Sequence, residues 1–241
     1  MKAAFLSILA ISLLLAGALG LAAVIHRHAA DMPWARLDLG QPIGLTTGRR
    51  LAALSGDSAH CTALLTRAGV AFTPLPPRNA GPSCGYDDAV RFLTGGSRIA
   101  AYAPASVGIS CPVAAALAMW EWDVVQPAAL RHFGRPVEQV DHFGSYACRR
   151  LYGRATGGWS EHATANAIDI AGFRLRGGRR ITIASGWNGD DAAVSAFLRD
   201  VHDGACRLFA TVLGPGYNAA HHDHFHLDQA ARGSMGWRAC R

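Results

Sequence analysis

The residues best suited to chemistry lie in the last third of the chain. One segment reads Ser160-Glu161-His162-Ala163-Thr164-Ala165-Asn166-Ala167-Ile168-Asp169-Ile170, and another reads His221-His222-Asp223-His224-Phe225-His226-Leu227-Asp228. Of the eleven histidines, four stand within six positions of the second segment. An extended chain sends successive side chains to opposite faces, so His224 and His226 point the same way, about 6.6 Å apart along the backbone, with Phe225 and Leu227 turned to a core. Asp169 alternates with Ile168 and Ile170 in the same manner. His162 lies seven residues before Asp169, and a loop between them can bring both to one point. Two histidines and one carboxylate make a three-ligand zinc set with an open fourth position, which marks a catalytic site rather than a structural one. Zinc lowers the pKa of bound water from 15.7 to about 7. His224 is placed to act as the base or to steady the transition state once protonated, and His221 is a second candidate at the rim. Ligand imidazoles need acceptors for their other nitrogen, and Asp223, Asp228 and Glu161 are near. An H-x-H pair alone is common on a polar strand face, so it is the joint occurrence of the two segments that carries the metal reading. His60, His132, His142 and His202 read as surface or satisfied histidines, and Trp120 and Trp187 as core.

The elements that must position these groups follow from periodicity. Strand-like runs cover 167–175, 180–187 and 224–228, the first two joined at hairpin length by Arg176-Gly177-Gly178-Arg179, and 146–150 offers a further strand. A helix is expected over 58–68, capped by Asp57 or Ser58 and ended by Gly69. A second starts at Pro112 and carries Ala116, Leu117, Trp120 and Val124 on one face, with Pro127 kinking or restarting it. A third spans 191–213, capped by Asp190, with apolar residues at i, i+3, i+4 and i+7 from Val194 to Val212. Helices around a small, mainly antiparallel sheet make an α+β fold.

With 241 residues, half of them apolar and 17% charged, the chain is neither disordered nor fibrous. It carries 23 basic and 17 acidic residues, net +6, and every fixed positive charge except Lys2 is an arginine. No basic run or aromatic-basic motif supports nucleic-acid binding. The one long apolar run, 3–25, is long enough for a bilayer core of about 20 residues and longer than the apolar part of a removed signal, about 7–15. Residues 1–28 therefore read as an uncleaved anchor in preference to a signal, 29–50 as a linker, and 51–241 as one domain, helical first and metal-binding last. The expected location is the periplasm or cell envelope, anchored in the inner membrane, and a monomer is expected. Cys61, Cys84, Cys111, Cys148, Cys206 and Cys240 all follow the apolar run without a C-x-x-C pair, as in an exported, disulfide-bonded domain. Six cysteines allow 15 connectivities. The expectation is the sequential set, Cys61–Cys84, Cys111–Cys148 and Cys206–Cys240.

The two segments resemble the pattern S-x-H-x-x-G-x-A-x-D followed by H-x-H of the lysostaphin, D-alanyl-D-alanine peptidase and sonic hedgehog group of zinc peptidases. Ser160, His162, Ala167 and Asp169 match, and Ala165 stands where the pattern has glycine. The resemblance implies that His162, Asp169 and His226 bind zinc and that His224 assists catalysis. His221-x-x-His224-x-His226 is similar to the murein endopeptidase branch. Over about 55–241 the chain resembles the bacterial extensin-like C-terminal domain family, on 120–128, 144–149, 160–170, 212–218 and 221–228. Arg149 resembles the arginine motif of dipeptidase relatives, which implies a contact with the oxyanion.

The function so implied is a zinc peptidase cleaving an amide of peptidoglycan stem peptides, of D,D- or L,D-type. A wall-binding module that keeps zinc without cleaving, and a histidine-rich carrier of copper or nickel using His221, His222, His224 and His226, are the competing readings.

Overall fold

The computed structural model describes residues 2–27, 35–232 and 238–241, with side chains described only over 11–25 in the first stretch. Lys2–Arg27 form helix α1. Its described side chains are exposed. Among the described residues no helix is long and apolar enough to cross a membrane. The anchor reading of 3–25 thus rests on the sequence alone.

The chain continues through α2 (Thr47–Ala52), α3 (Ser58–Arg67), β1 (Val70–Pro74), the short pair β2 (Arg78–Asn79) and β3 (Gly85–Tyr86), β4 (Ala89–Gly96), β5 (Ala101–Ala103), β6 (Ile109–Ser110), α4 (Cys111–Trp120) and α5 (Gln126–Phe133). The second half supplies β7 (Val137–Gly144), β8 (Ala167–Leu175), β9 (Arg180–Thr182), α6 (Ile183–Gly186), α7 (Ala192–Ala205), β10 (Thr211–Leu213), β11 (Phe225–Asp228) and β12 (Ala239–Cys240). The main sheet has seven strands in the order β12-β10-β11-β8-β7-β5, with β9 joined to β8, beside a three-stranded sheet β1-β4-β6 and the pair β2-β3. The fold is α+β, and the main sheet is mostly antiparallel, with parallel pairs β10–β12 and β5–β7.

Helix α4 is buried on every side, from Cys111 to Trp120. Its four alanines let neighbours approach closely, and the Trp120 indole, enclosed at the end, donates to the Val201 carbonyl of α7 at 2.8 Å. Pro127 has no N–H to continue the helical ladder. The chain absorbs this with a π-helical turn, Glu121–Val125, and resumes as α5 with the proline in its first turn. The turn delivers Glu121, only 1% exposed, to the amides of Ile99 (2.6 Å) and Ala100 (2.8 Å) and to Nε of Arg98 (3.3 Å). Gln126 then completes the first rung of β7, donating to the Val137 carbonyl at 2.9 Å and accepting from its amide at 3.0 Å.

Several expectations need correction. Leu39 and Thr47, inside the expected linker, are buried, and Leu39 joins the core, so the packed unit begins upstream of Leu51. The disulfides are Cys61–Cys111, Cys84–Cys148 and Cys206–Cys240, so only the last sequential pair forms. Cys61 lies on α3 and Cys111 begins α4; the packing of those helices, not proximity in sequence, brings their sulfurs together. Helix α7 ends at Ala205, and Val212 belongs to β10. Its cap is Asp191, which accepts from the amides of Ala193 and Val194, both at 3.1 Å, in place of Asp190. The run 180–187 is a three-residue strand followed by α6, where Thr182 caps a new helical turn. Residues 146–150 form no strand, apart from an isolated bridge of Arg150 to Trp159. Asp57 caps α3 as expected, accepting from the His60 amide at 3.0 Å.

Candidate metal centre

Strands β8 and β11 pair antiparallel, and the register sets Asp169 directly opposite His226 and Ile168 opposite Leu227. Directly opposed residues share a face. The apolar partners Ile168, Ile170, Phe225 and Leu227 are fully buried on the other face, which pins the register because a one-residue slip would exchange the two faces. His162 arrives from a 3-10 turn, Glu161–Thr164, whose cap Ser160 accepts from the His162 amide at 3.3 Å. Ala165 ends that turn at φ +56°, the left-handed region that glycine occupies at no steric cost. The substitution noted in the sequence therefore falls at the one place in the motif where backbone conformation favours glycine.

His162 Nε2, Asp169 Oδ1 and His226 Nδ1 meet at separations of 3.2, 3.1 and 3.0 Å. The remaining ring nitrogens settle what these atoms are. His162 Nδ1 lies 2.5 Å from the Ser145 carbonyl, which only accepts, so it carries the proton and Nε2 is left with a lone pair. His226 Nε2 lies 3.1 Å from the Asp228 carboxylate, which leaves Nδ1 the lone pair of the neutral ring. Three lone pairs then face one another, an arrangement that repels itself unless a cation or an added proton intervenes. Tetrahedral zinc with bonds of about 2.0–2.2 Å would space its donors by roughly 3.3–3.6 Å. The donor set fits that ion in element type and tautomer, and its separations fall short of that spacing by a few tenths of an ångström. His202, Cys206 and Cys240 also lie close together, but both sulfurs are spent in a disulfide.

The electrostatics agree. Burial pushes the Asp169 carboxyl up, but hydrogen bonds and charge from His162 and His226 outweigh it and hold the group well below the usual carboxylate range. Burial pulls His226 down, yet hydrogen bonds to Asp169 and Asp228 raise it to about 9 in the metal-free chain. Burial, then the neighbouring His224 and His226, lowers His221 to about 4. Burial likewise raises Glu161, partly offset by the Asn166 side chain, which donates to it at 2.7 Å.

A cleft of about 400 Å³ opens over these groups. His224 lines it, with Nδ1 2.8 Å from Asp223, Nε2 3.6 Å from Asp169 Oδ1, and the Phe143 ring edge-on at 5.8 Å. His221 packs on His224 at 5.2 Å, and its Nδ1 donates to Asn218 Oδ1 at 2.7 Å, leaving Nε2 unprotonated. Arg149 lines the rim, exposed and without a carboxylate partner among the described residues. Every expected site residue, His162, Asp169, His226, His224, His221 and Arg149, therefore borders one cleft. Of the proposed acceptors, Asp228 serves His226 and Asp223 serves His224, whereas Glu161 serves Asn166. Sequence reasoning missed Ser145, whose contribution is a backbone carbonyl that no residue type announces. It also missed Asn218 and the rim formed by Leu151, Tyr152, Trp159 and Arg232.

A family model described as extensin-like protein C-terminus matches residues 59–241. No curated protein and no solved structure matches the chain.

Proposed function

The chain belongs to the extensin-like protein C-terminus family, and from that premise and the geometry of the cluster we propose a zinc-dependent peptidase that hydrolyses an amide bond in peptidoglycan stem peptides. The observation that carries this reading is the convergence of three lone-pair donors, His162 Nε2, Asp169 Oδ1 and His226 Nδ1, at the floor of an open cleft. A bound zinc ion would polarise a carbonyl and acidify a water at neutral pH. Ser145 and Asp228 hold the two ligand rings in the binding tautomer. His224, with Nδ1–H committed to Asp223, presents Nε2 to the cleft, where it takes the proton lost by an attacking water and returns it to the departing amine. His221, neutral near pH 7, offers its Nε2 as an acceptor beside it. Arg149, at the rim and without a carboxylate partner among the described residues, is available to the oxyanion. Likeness of the two motifs to the lysostaphin, D-alanyl-D-alanine peptidase and sonic hedgehog group supports the bond class. Three disulfides support an oxidising compartment, the periplasm or envelope, with 3–25 as the anchor.

The test is incubation of purified muropeptides with the zinc-loaded chain, the chelated chain and His224→Ala. Product is expected from the loaded chain alone, with one equivalent of metal retained by His224→Ala. Bound zinc without product from the loaded chain would leave a metal-holding wall module and overturn the peptidase.

A further inference from the structure

A second cavity, about 410 Å³, lies behind the metal centre, and nothing in the proposed chemistry uses it. The two spaces have no lining residue in common, but residues 142–146, which line the second, touch the residues of the first. Phe143 lies edge-on to His224, and the Ser145 carbonyl receives the His162 proton, while both residues also line this second space. The lining contains two arginines, Arg78 and Arg91, and no carboxylate. Elsewhere in the molecule guanidinium groups find acids, as in Arg98–Glu121, Arg174–Glu138 and Arg180–Asp141. Neither Arg78 nor Arg91 has such a partner among the described residues. Arg78 stacks on the Tyr146 ring at 4.4 Å, which fixes its plane without neutralising its charge.

Three buried polar atoms on lining residues also lack any hydrogen-bond partner: Nε of Arg91, the Tyr146 hydroxyl and Nδ1 of His142. Orphaned groups of this kind are rare because each costs about 1–3 kcal/mol. His142 Nε2 lies 2.8 Å from the Pro104 carbonyl, so its proton is there and Nδ1 is an acceptor. Those three atoms have essentially no accessible surface, so what the cavity offers a ligand is its two guanidinium groups with no acid beside them. That pair complements a carboxylate, the group that an acidic amino-acid residue in a peptide presents.

We infer that this cavity is a recognition subsite for an acidic residue of the peptide substrate, its carboxylate held by Arg78 and Arg91. The assignment rests on the peptidase reading, and it places the acidic residue across the Phe143–Ser145 wall from the metal centre. Arg78 and Arg91 are positioning residues, distant from the reacting atoms.

Binding can be measured without cleavage. The zinc-loaded full chain is titrated calorimetrically with an N-acetylated glutamate tripeptide, its glutamine counterpart, and inorganic phosphate. The glutamate peptide should bind about tenfold or more tightly than the glutamine one, the factor expected for losing a charge-assisted contact. Arg91→Gln and, because Arg91 is half-buried, the exposed Arg78→Gln should each shrink that ratio towards unity with one equivalent of zinc retained. Equal affinity for acid and amide, or a ratio untouched by both variants, overturns the subsite. Phosphate competing as strongly as the glutamate peptide assigns the cavity to phosphate and overturns it too. Intact acid selectivity with no muropeptide product would instead remove the peptidase and leave the subsite standing.

Discussion

Among the described residues two clusters each bring three ligand-type residues within 4.8 Å: His162, Asp169 and His226, and His202, Cys206 and Cys240. They differ in what the atoms are already doing. In the first, each ring has one nitrogen engaged by an outward acceptor, and the remaining lone pairs converge. In the second, the two sulfurs are bonded to each other, and His202 has both nitrogens occupied, Nδ1 by Asp203 at 3.0 Å and Nε2 by the Arg241 carbonyl at 3.2 Å. Rings of Trp187 and Phe225 close over His202. Proximity of ligand types is thus a weak criterion, and the partners of the far nitrogens decide.

The sharpest break is paired substitution. His162→Ala should abolish stoichiometric zinc binding, and His202→Ala should leave one equivalent by metal analysis. Loss of metal in His202→Ala alone would invert the comparison. Asp228→Asn, which weakens the hold on the His226 tautomer, should lower zinc affinity by about 10–100-fold in a competitive chelator titration. Replacing Cys206 and Cys240 together by serine should cost about 2–4 kcal/mol in denaturant unfolding while creating no second zinc site.

A subtler separation comes from pH. Metal-free His226 titrates near 9 against an ordinary 6.5, so its stabilising charge is complete below pH 6.5 and lost as pH rises through 9. The Tm of the chelated chain should fall across that window, and zinc should cancel the fall because its ligand nitrogen is already unprotonated. A flat profile in chelator would contradict the contacts of His226 with Asp169 and Asp228. Smallest of all, Ala165→Gly should shift stability upward by about 1 kcal/mol or less, relieving the left-handed alanine behind His162; a clear loss would mean that the turn prefers its methyl group.

Much of the first cluster was readable from residue alternation. Asp169 and His226 stand on polar faces between residues that must be buried, and period-two patterning leaves strands little choice. Asp57 before α3 and Pro127 within the long helix were equally informative, because capping and the missing proline N–H act locally. What escaped the sequence depends on packing between remote segments. Cys61 pairs with Cys111 because α3 lies on α4. The apolar spacing expected to prolong α7 to Val212 instead buries Leu208 in a turn, Phe209 just after it and Val212 in a strand. Arg78, Arg91 and the segment from His142 to Tyr146 come from three separate stretches, and no local pattern links them.

The π-helical turn at Glu121–Val125 has a consequence for variation in this chain. A deletion inside a regular helix rotates all that follows by about 100°. A π turn instead carries one residue more than an α turn over nearly the same sweep, so losing one residue here would close it to ordinary α geometry with α5 still in phase. Ala128 and Ala129 would keep their buried places, and the cost of shortening would fall on the Pro127 ring, which would meet a carbonyl one turn back.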